Sequence, residues 1–212
     1  MYSKTIKQLQ WRYATKRFDS SKILSGEKLN ILKETFNLTA TSYGLQPLKL
    51  VVVSNTNLKE QLMPLTYNQQ QVRDASHLLV LCVEKNINEN FIIDHFKRVE
   101  GTRNTPRNIL EPFEKNLIAY FTKKNTQEIK DWMINQLYLT LGSLLAVCAV
   151  EKIDACPIEG FEPKKYDELL GLDKQGLESV IVLPVGYRDE SDFFINLQKV
   201  RRGIDELIIE IN

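Results

Sequence analysis

The sequence predicts an α+β or α/β fold that contains more helix than strand. Three short stretches are rich in β-branched residues and almost continuously apolar, which is typical of buried strands. Longer stretches between and after them have the apolar spacing of helices. A sheet made of such strands needs cover on both faces, so helices are expected on both sides of it.

The N-terminal part of the chain predicts two helices. The first covers Ser3–Trp11 and places Ile6 and Leu9 on one side. Ser25 is a typical N-cap for the second, which is expected to end near Leu38 because a small, polar loop follows.

The predicted strands and the remaining helices follow along the chain. The strands cover residues 48–54, 77–83 and 179–186, and the helices cover roughly residues 57–64, 89–100, 107–123 and 127–150. A last apolar segment, 206–211, is too short to form a unit alone. It is expected to join the edge of a sheet in its own chain or in a partner.

The predicted helix at 127–150 stands out because no charged residue occurs from Met133 to Val150. Its length is marginal for a membrane span, and polar or small residues dilute it, namely Asn135, Gln136, Thr140, Gly142 and Ser143. A buried core helix or a helix at a dimer interface is therefore the preferred interpretation, and no membrane association is expected.

Composition narrows the class of protein further. The 212 residues contain no repeat or linker, so a single domain over 1–212 is expected. A net charge of +1 argues against non-specific binding to nucleic acid. Three cysteines without C-x-x-C spacing indicate reduced thiols rather than disulfides or a zinc site. The N-terminal residues have no apolar signal region, and a cytoplasmic location is expected.

The chain lacks the sequence motifs of several common enzyme and cofactor-binding classes. The chain has neither G-x-G-x-x-G nor G-x-x-x-x-G-K-[ST], and no G-x-S-x-G occurs. It contains only two histidines and no H-E-x-x-H, so no metal site is expected.

Five short motifs occur in a fixed order along the chain: Arg12-Tyr13-Ala14-Thr15-Lys16, Ser42 with Gln46-Pro47, Asp74-Ala75-Ser76-His77, Pro157-Ile158-Glu159-Gly160-Phe161, and Lys199-Val200-Arg201. In this order they resemble the FMN-dependent nitroreductases, and they are most similar to the oxygen-insensitive bacterial NAD(P)H nitroreductases, with some kinship to the dihydropteridine reductases. The resemblance implies a three-layer α-β-α fold with a mostly antiparallel central sheet. It also implies a homodimer in which the C-terminal strand is added to the partner's sheet.

The resemblance assigns one set of residues to the two ends of the cofactor. Arg12, Lys199 and Arg201 match the basic residues at the FMN phosphate, which suits a group that needs charge-assisted donors. Lys16 and Asn68 match residues at the pyrimidine edge of the flavin, where a cation stabilises the reduced ring. Gln71 stands where similar proteins place a second lysine, so a lower flavin potential is expected. Tyr13 and Ala14 also depart from the family's pattern, and somewhat weaker FMN binding is expected from them.

The resemblance assigns a second set of residues to the flavin ring and to the partner subunit. The turn formed by Pro157, Ile158, Glu159 and Gly160 matches the loop along the ring, with the Glu159 amide donating to N5; a plain strand-to-helix turn is the alternative. Thr41 and Ser42 match residues contributed by the second subunit. Tyr120 and Phe121 match an aromatic pair over the open face of the flavin, although two aromatics on a helix also fit simple packing.

The activity implied by the resemblance is a ping-pong exchange at one open site. NAD(P)H gives a hydride to flavin N5, and a nitroaromatic, a quinone or a similar flat acceptor then takes its place. The flavin carries the chemistry, so no catalytic side chain is expected. Two alternatives remain: a dihydropteridine or enone reductase on the same fold, and a non-catalytic flavin-binding protein. The sequence leaves open the physiological acceptor, the choice between NADH and NADPH, and the flavin potential.

Overall fold

A computed structural model describes residues 3–211 of the chain. Its strands are β1 (Leu48–Val53), β2 (His77–Glu84), β3 (Asp154–Ala155) and β4 (Leu177–Gly186). They form one sheet in the order β1-β2-β4-β3, and each neighbouring pair is antiparallel.

Nine α-helices occur within residues 3–211: α1 (Lys4–Trp11), α2 (Gly26–Leu38), α3 (Thr56–Leu62), α4 (Gln71–Asp74), α5 (Glu89–Arg103), α6 (Arg107–Thr122), α7 (Thr126–Val150), α8 (Pro163–Leu170) and α9 (Ile204–Leu207). Polar side chains cap several of them. Ser3 accepts from the amide of Ile6, and Ser25 accepts from the amide of Lys28. These caps satisfy amides that have no partner inside the helix.

The sheet separates two layers of helices because the side chains of β2 alternate between its faces. Leu79 and Leu81 face a core formed with α2, α5, α6 and α7, whereas Leu78 and Val80 face a core formed with α3, α4 and α8. Residues 77–83 of β2 are all buried, which agrees with its nearly continuous apolar sequence. The three-layer α-β-α fold is therefore confirmed.

Helix α7 packs one side against the sheet and leaves another side open. Met133, Leu137, Leu144 and Cys148 are buried in the core at helical spacing. The helix is long and apolar enough to cross a membrane, but its buried residues are those of a core helix. On its other side Leu139 is 55% exposed within this chain.

The predicted helices and strands are present except at the C-terminus. Residues 206 and 207 belong to helix α9 rather than to a strand, and residues 208–211 have no strand partner within the described chain. The local reason is a capping contact, since Glu206 accepts from the amide of Gly203 at 2.9 Å and closes a helical turn. The short elements β3, α4 and α8 were not predicted.

Candidate functional site

The segment that follows α1 runs in extended form beside the short strand β3. Ala14 forms a parallel bridge with Ala155, and Phe18 forms an antiparallel bridge with Arg188. This pairing places the Arg12–Lys16 motif next to the turn that follows β3. Two motifs about 140 residues apart are thus neighbours, as the 3.8 Å distance from Lys16 Nζ to Cys156 Sγ shows.

Two buried carboxylates hold this N-terminal segment in place. Asp192 is 2% exposed and accepts from the amides of Lys16 at 2.8 Å and Arg17 at 3.0 Å. Asp154 is 4% exposed, accepts from the Thr15 hydroxyl at 3.3 Å, and pairs with Arg188. Neither aspartate was predicted from the sequence, because no motif marks a carboxylate that binds a distant backbone amide.

The basic residues predicted at the phosphate come together at the start of this segment. Lys199 Nζ donates to the carbonyl of Arg12. Burial lowers the pKa of Lys199, and the nearby cations Arg12, Arg201 and Arg188 lower it further. Burial also lowers the pKa of Arg12, with Arg201 acting in the same direction. Cations that lower one another's pKa repel one another, and a bound anion relieves this repulsion. This donor set therefore fits a phosphate group.

Lys16 lines a cavity of about 500 Å³, and we refer to it as the Lys16 cavity. Its lining comprises Lys16, Arg17, Asn68, Gln69, Gln70, Gln71, Ser191, Asp192, Phe193 and Phe194. Asn68 has a left-handed backbone with φ of 59°, and Gln71 is 8% exposed. The structure therefore brings together three predicted residues from two distant segments. Phe193 and Phe194 were not predicted, and only their aromatic type could have indicated them.

The turn at residues 157–160 is anchored from three directions. Ile158 exchanges two backbone hydrogen bonds with Val182, at 2.8 and 3.0 Å. Gln69 Nε2 donates to the carbonyl of Gly160 at 3.0 Å. The Tyr138 hydroxyl donates to Glu159 Oε1 at 2.5 Å, and this hydrogen bond raises the pKa of Tyr138 to about 12. The backbone amides of the turn are consequently held in fixed directions.

The remaining predicted residues form a second group near α6 and α7. The amide of Ser42 donates to Gln136 Oε1 at 2.8 Å, and the hydroxyl of Thr41 is buried without a hydrogen-bond partner within the described chain. The neighbouring Tyr43 contacts both predicted aromatics, with ring centroids 6.1 Å from Tyr120 and 6.4 Å from Phe121.

The predicted aromatic pair differs in exposure. Tyr120 is 41% exposed, whereas Phe121 is 3% exposed and packs on Trp132 in the core. Of the two, Tyr120 alone presents a ring at the surface of the chain. Neither residue lines the Lys16 cavity, so within residues 3–211 of one chain the predicted site falls into two separate groups.

Comparison with known proteins identifies the family of the chain. The sequence model of the nitroreductase family matches residues 9–187. The chain is 30% identical over 210 residues to the oxygen-insensitive NAD(P)H nitroreductase of Enterobacter cloacae, covering 94% of this chain and 95% of that protein.

Solved structures show the same fold. The putative nitroreductase ydfN of Bacillus subtilis has a TM-score of 0.86 at 20% identity and covers 97% of this chain and 98% of its own. A putative nitroreductase from Exiguobacterium sibiricum, solved in complex with FMN, has a TM-score of 0.83 at 19% identity and covers 100% of this chain and 99% of its own. With the family match over residues 9–187, these similarities establish that the chain belongs to the nitroreductase family and is an oxidoreductase.

Proposed function

We propose that this protein is an FMN-dependent NAD(P)H oxidoreductase that reduces nitroaromatics, quinones or related flat acceptors. The observation that carries the proposal is the placement of Arg12 with Lys199, of Lys16 and of the anchored turn along one edge of the sheet. The FMN complex of the Exiguobacterium protein and the NAD(P)H in the name of the Enterobacter relative support the choice of cofactor and donor.

The chain offers suitable groups for both ends of FMN. Arg12, Lys199 and Arg201 would bind its phosphate, since they already crowd their positive charges together. Lys16 and Asn68 line one cavity and would bind the polar edge of the ring. When bound, FMN would supply the centre that accepts and donates the hydride.

The protein's own contribution is positioning and electrostatic tuning. The turn at Glu159 and Gly160 would present its amides to the ring without further reorganisation, because Gln69 and Tyr138 hold it from two sides. Lys16 would stabilise negative charge on the reduced cofactor. No side chain is required as a nucleophile in this scheme.

We further propose that the active form is a homodimer. Leu139 and Val150, 55% and 47% exposed, lie on one open side of α7 together with Gly142 and form an apolar surface suited to a second copy. Thr41 and Ser42 would complete the site from the partner subunit. The exposed C-terminal residues 208–211 would then pair with the partner's sheet. The three free, buried cysteines support a reducing compartment such as the cytoplasm.

A spectrum of the purified protein tests the cofactor and the donor together. The protein should be yellow and should lose its colour on anaerobic addition of NADH or NADPH, and the faster donor identifies the preference. A colourless protein that does not bind added FMN would refute the proposal.

Steady-state kinetics test the order of the reaction and the acceptor. Double-reciprocal plots should give parallel lines, whereas intersecting lines would indicate a ternary complex instead. Values of kcat/KM for a nitroaromatic, a quinone, a dihydropteridine and an enone then show which acceptor class the site favours.

A further inference from the structure

Arg188 lies two residues after the end of β4 and is the first residue beyond the segment that matches the family model. Buried Asp154 fixes it by two hydrogen bonds, from the Arg188 amide at 2.9 Å and from its Nε at 2.7 Å. The same carboxylate accepts from the hydroxyl of Thr15. Arg188 is thus held against the N-terminal segment and is not a free surface charge.

The guanidinium of Arg188 stacks on two aromatic rings that flank Arg12 in the sequence. Its Cζ lies 4.1 Å from the ring centroid of Trp11 and 4.5 Å from that of Tyr13. Such contacts between a cation and a ring are attractive, and they strengthen when the groups are partly buried.

The backbone explains what this stack does for Arg12. Arg12 is extended, with φ of −72° and ψ of 145°. Trp11 is the last residue of α1 and Tyr13 follows Arg12 directly, so Arg188 holds the residue on each side of Arg12. The backbone from which the Arg12 side chain projects is thereby fixed at both ends. Arg188 also lies close enough to Lys199 to lower the pKa of that lysine.

We propose that Arg188 is a positioning residue for the phosphate end of the cofactor site, acting through Trp11 and Tyr13 on the direction of Arg12. This inference rests on the proposed function. An arginine is needed because its planar group can stack on rings and pair with Asp154 at the same time. A lysine keeps the charge but cannot do both.

The test compares FMN with riboflavin, which lacks the phosphate. Dissociation constants are measured by flavin fluorescence for the wild type, Arg188→Lys and Arg188→Met. We expect Arg188→Lys to bind FMN about tenfold more weakly than wild type, which corresponds to the loss of one charge-assisted contact. Its dissociation constant for riboflavin should stay within about twofold of the wild-type value. Lys152→Met is the matched control, because Lys152 also lies over Trp11, at 4.3 Å, but is exposed. It should leave both constants unchanged.

A double-variant comparison separates positioning from a general structural role. If Arg188 acts through Arg12, the effect of Arg188→Lys on FMN binding should largely disappear in an Arg12→Ala background. Additive effects, an equal loss for FMN and riboflavin, or unchanged FMN binding by Arg188→Lys would each overturn the inference. Arg188→Met leaves Asp154 without its partner, so if that variant does not fold, Arg188→Lys alone decides the matter. A wild type that does not bind FMN would instead refute the proposed function.

Discussion

The carboxylate of Asp192 accepts a hydrogen bond of 2.8 Å from the backbone amide of Lys16, although 176 positions separate the two residues. The same side chain accepts from the amides of Arg17 and Phe194. One buried acidic residue thus joins the segment that carries Lys16 to the segment that follows β4. The position of Lys16 in its cavity therefore depends on the segment that follows β4.

Removing this carboxylate should destabilise the protein. In Asp192→Ala the three amides lose their acceptor in a site that is 2% exposed in the wild type, and a loss of roughly 3 kcal/mol in the free energy of unfolding is expected. Urea unfolding followed by circular dichroism measures it. Asp189→Ala is the control, because among the described residues the hydrogen bonds of the Asp189 side chain go to Ser191 in its own turn. Equal stability of both variants would contradict the prediction.

The same residue predicts acid sensitivity. Burial raises the pKa of Asp192, but hydrogen bonds from the amides of Arg17, Phe194 and Lys16 outweigh it and lower the pKa below the usual 3.8. The stabilisation is therefore fully present above that value and is lost as the pH falls through the folded-state pKa. Stability curves for the wild type and Asp192→Asn should converge below about pH 4. Parallel curves would exclude this residue as the cause.

Gln71→Lys should raise the flavin potential. Gln71 lines the Lys16 cavity, and a lysine there would add a second cation beside the reduced ring. We expect a rise of roughly 30 mV, which corresponds to about 1.4 kcal/mol for a two-electron couple. Titration against a reference dye measures it. Gln61→Lys is a control on the exposed surface of α3, and a potential that moves equally in both variants would contradict a local effect.

Gln69→Ala should slow reduction of the bound cofactor with little effect on cofactor binding. The substitution removes the donor that holds the carbonyl of Gly160, so the turn is less precisely placed. A fall of about tenfold in the anaerobic rate with the preferred nicotinamide donor is expected, measured by stopped-flow absorbance. Gln61→Ala, at an exposed position of α3 that does not line the Lys16 cavity, should leave the rate near that of wild type. An unchanged rate in Gln69→Ala would exclude this role.

Leu139→Glu should separate the proposed dimer. Placing a charge on the apolar side of α7 disfavours burial against a second copy. Sedimentation velocity should show a dimer for the wild type and a monomer for the variant, and the monomer should bind FMN more weakly because Thr41 and Ser42 of the partner are lost. Leu169→Glu on α8 lies in the opposite helix layer and serves as the control. A monomeric wild type would refute the dimer.

Acidification should also weaken the fold through His77. Burial lowers the pKa of His77, and the charges of Lys59 and Lys33 lower it further. Its neutral ring is bound at 2.8 Å to the Ser76 hydroxyl. The unfolded chain takes up a proton more readily, so stability falls as the pH drops below 6.5 towards the folded-state pKa. Unfolding midpoints should fall less in His77→Gln than in wild type, and identical slopes would argue against this residue.

Much of the fold follows from local patterns that the sequence carries. The strands at Leu48–Val53 and Leu177–Gly186 are apolar and β-branched, and α7 carries long apolar periodicity, so each is recognisable without its neighbours. Ser25 caps α2 as its position predicts. The structure differs from the prediction at residues 206 and 207, because the apolar residues Leu207 and Ile208 indicate a strand while the capping contact of Glu206 favours a helical turn. Pairing of residues 208–211 with a partner's sheet stays a prediction.

The sequence by itself determined the longer helices and strands, the three layers and the motifs that identify the family, because periodicity and motif spacing are properties of neighbouring residues. Only the tertiary structure decided which distant polar groups meet. Asp192 with Lys16, Asp154 with Arg188, and Gln69 with Gly160 are such pairs. A buried carboxylate or amide needs hydrogen-bond partners, and the packing of the sheet and helices decides which groups lie within reach of it. The local sequence around Asp192 therefore contains no sign of its role.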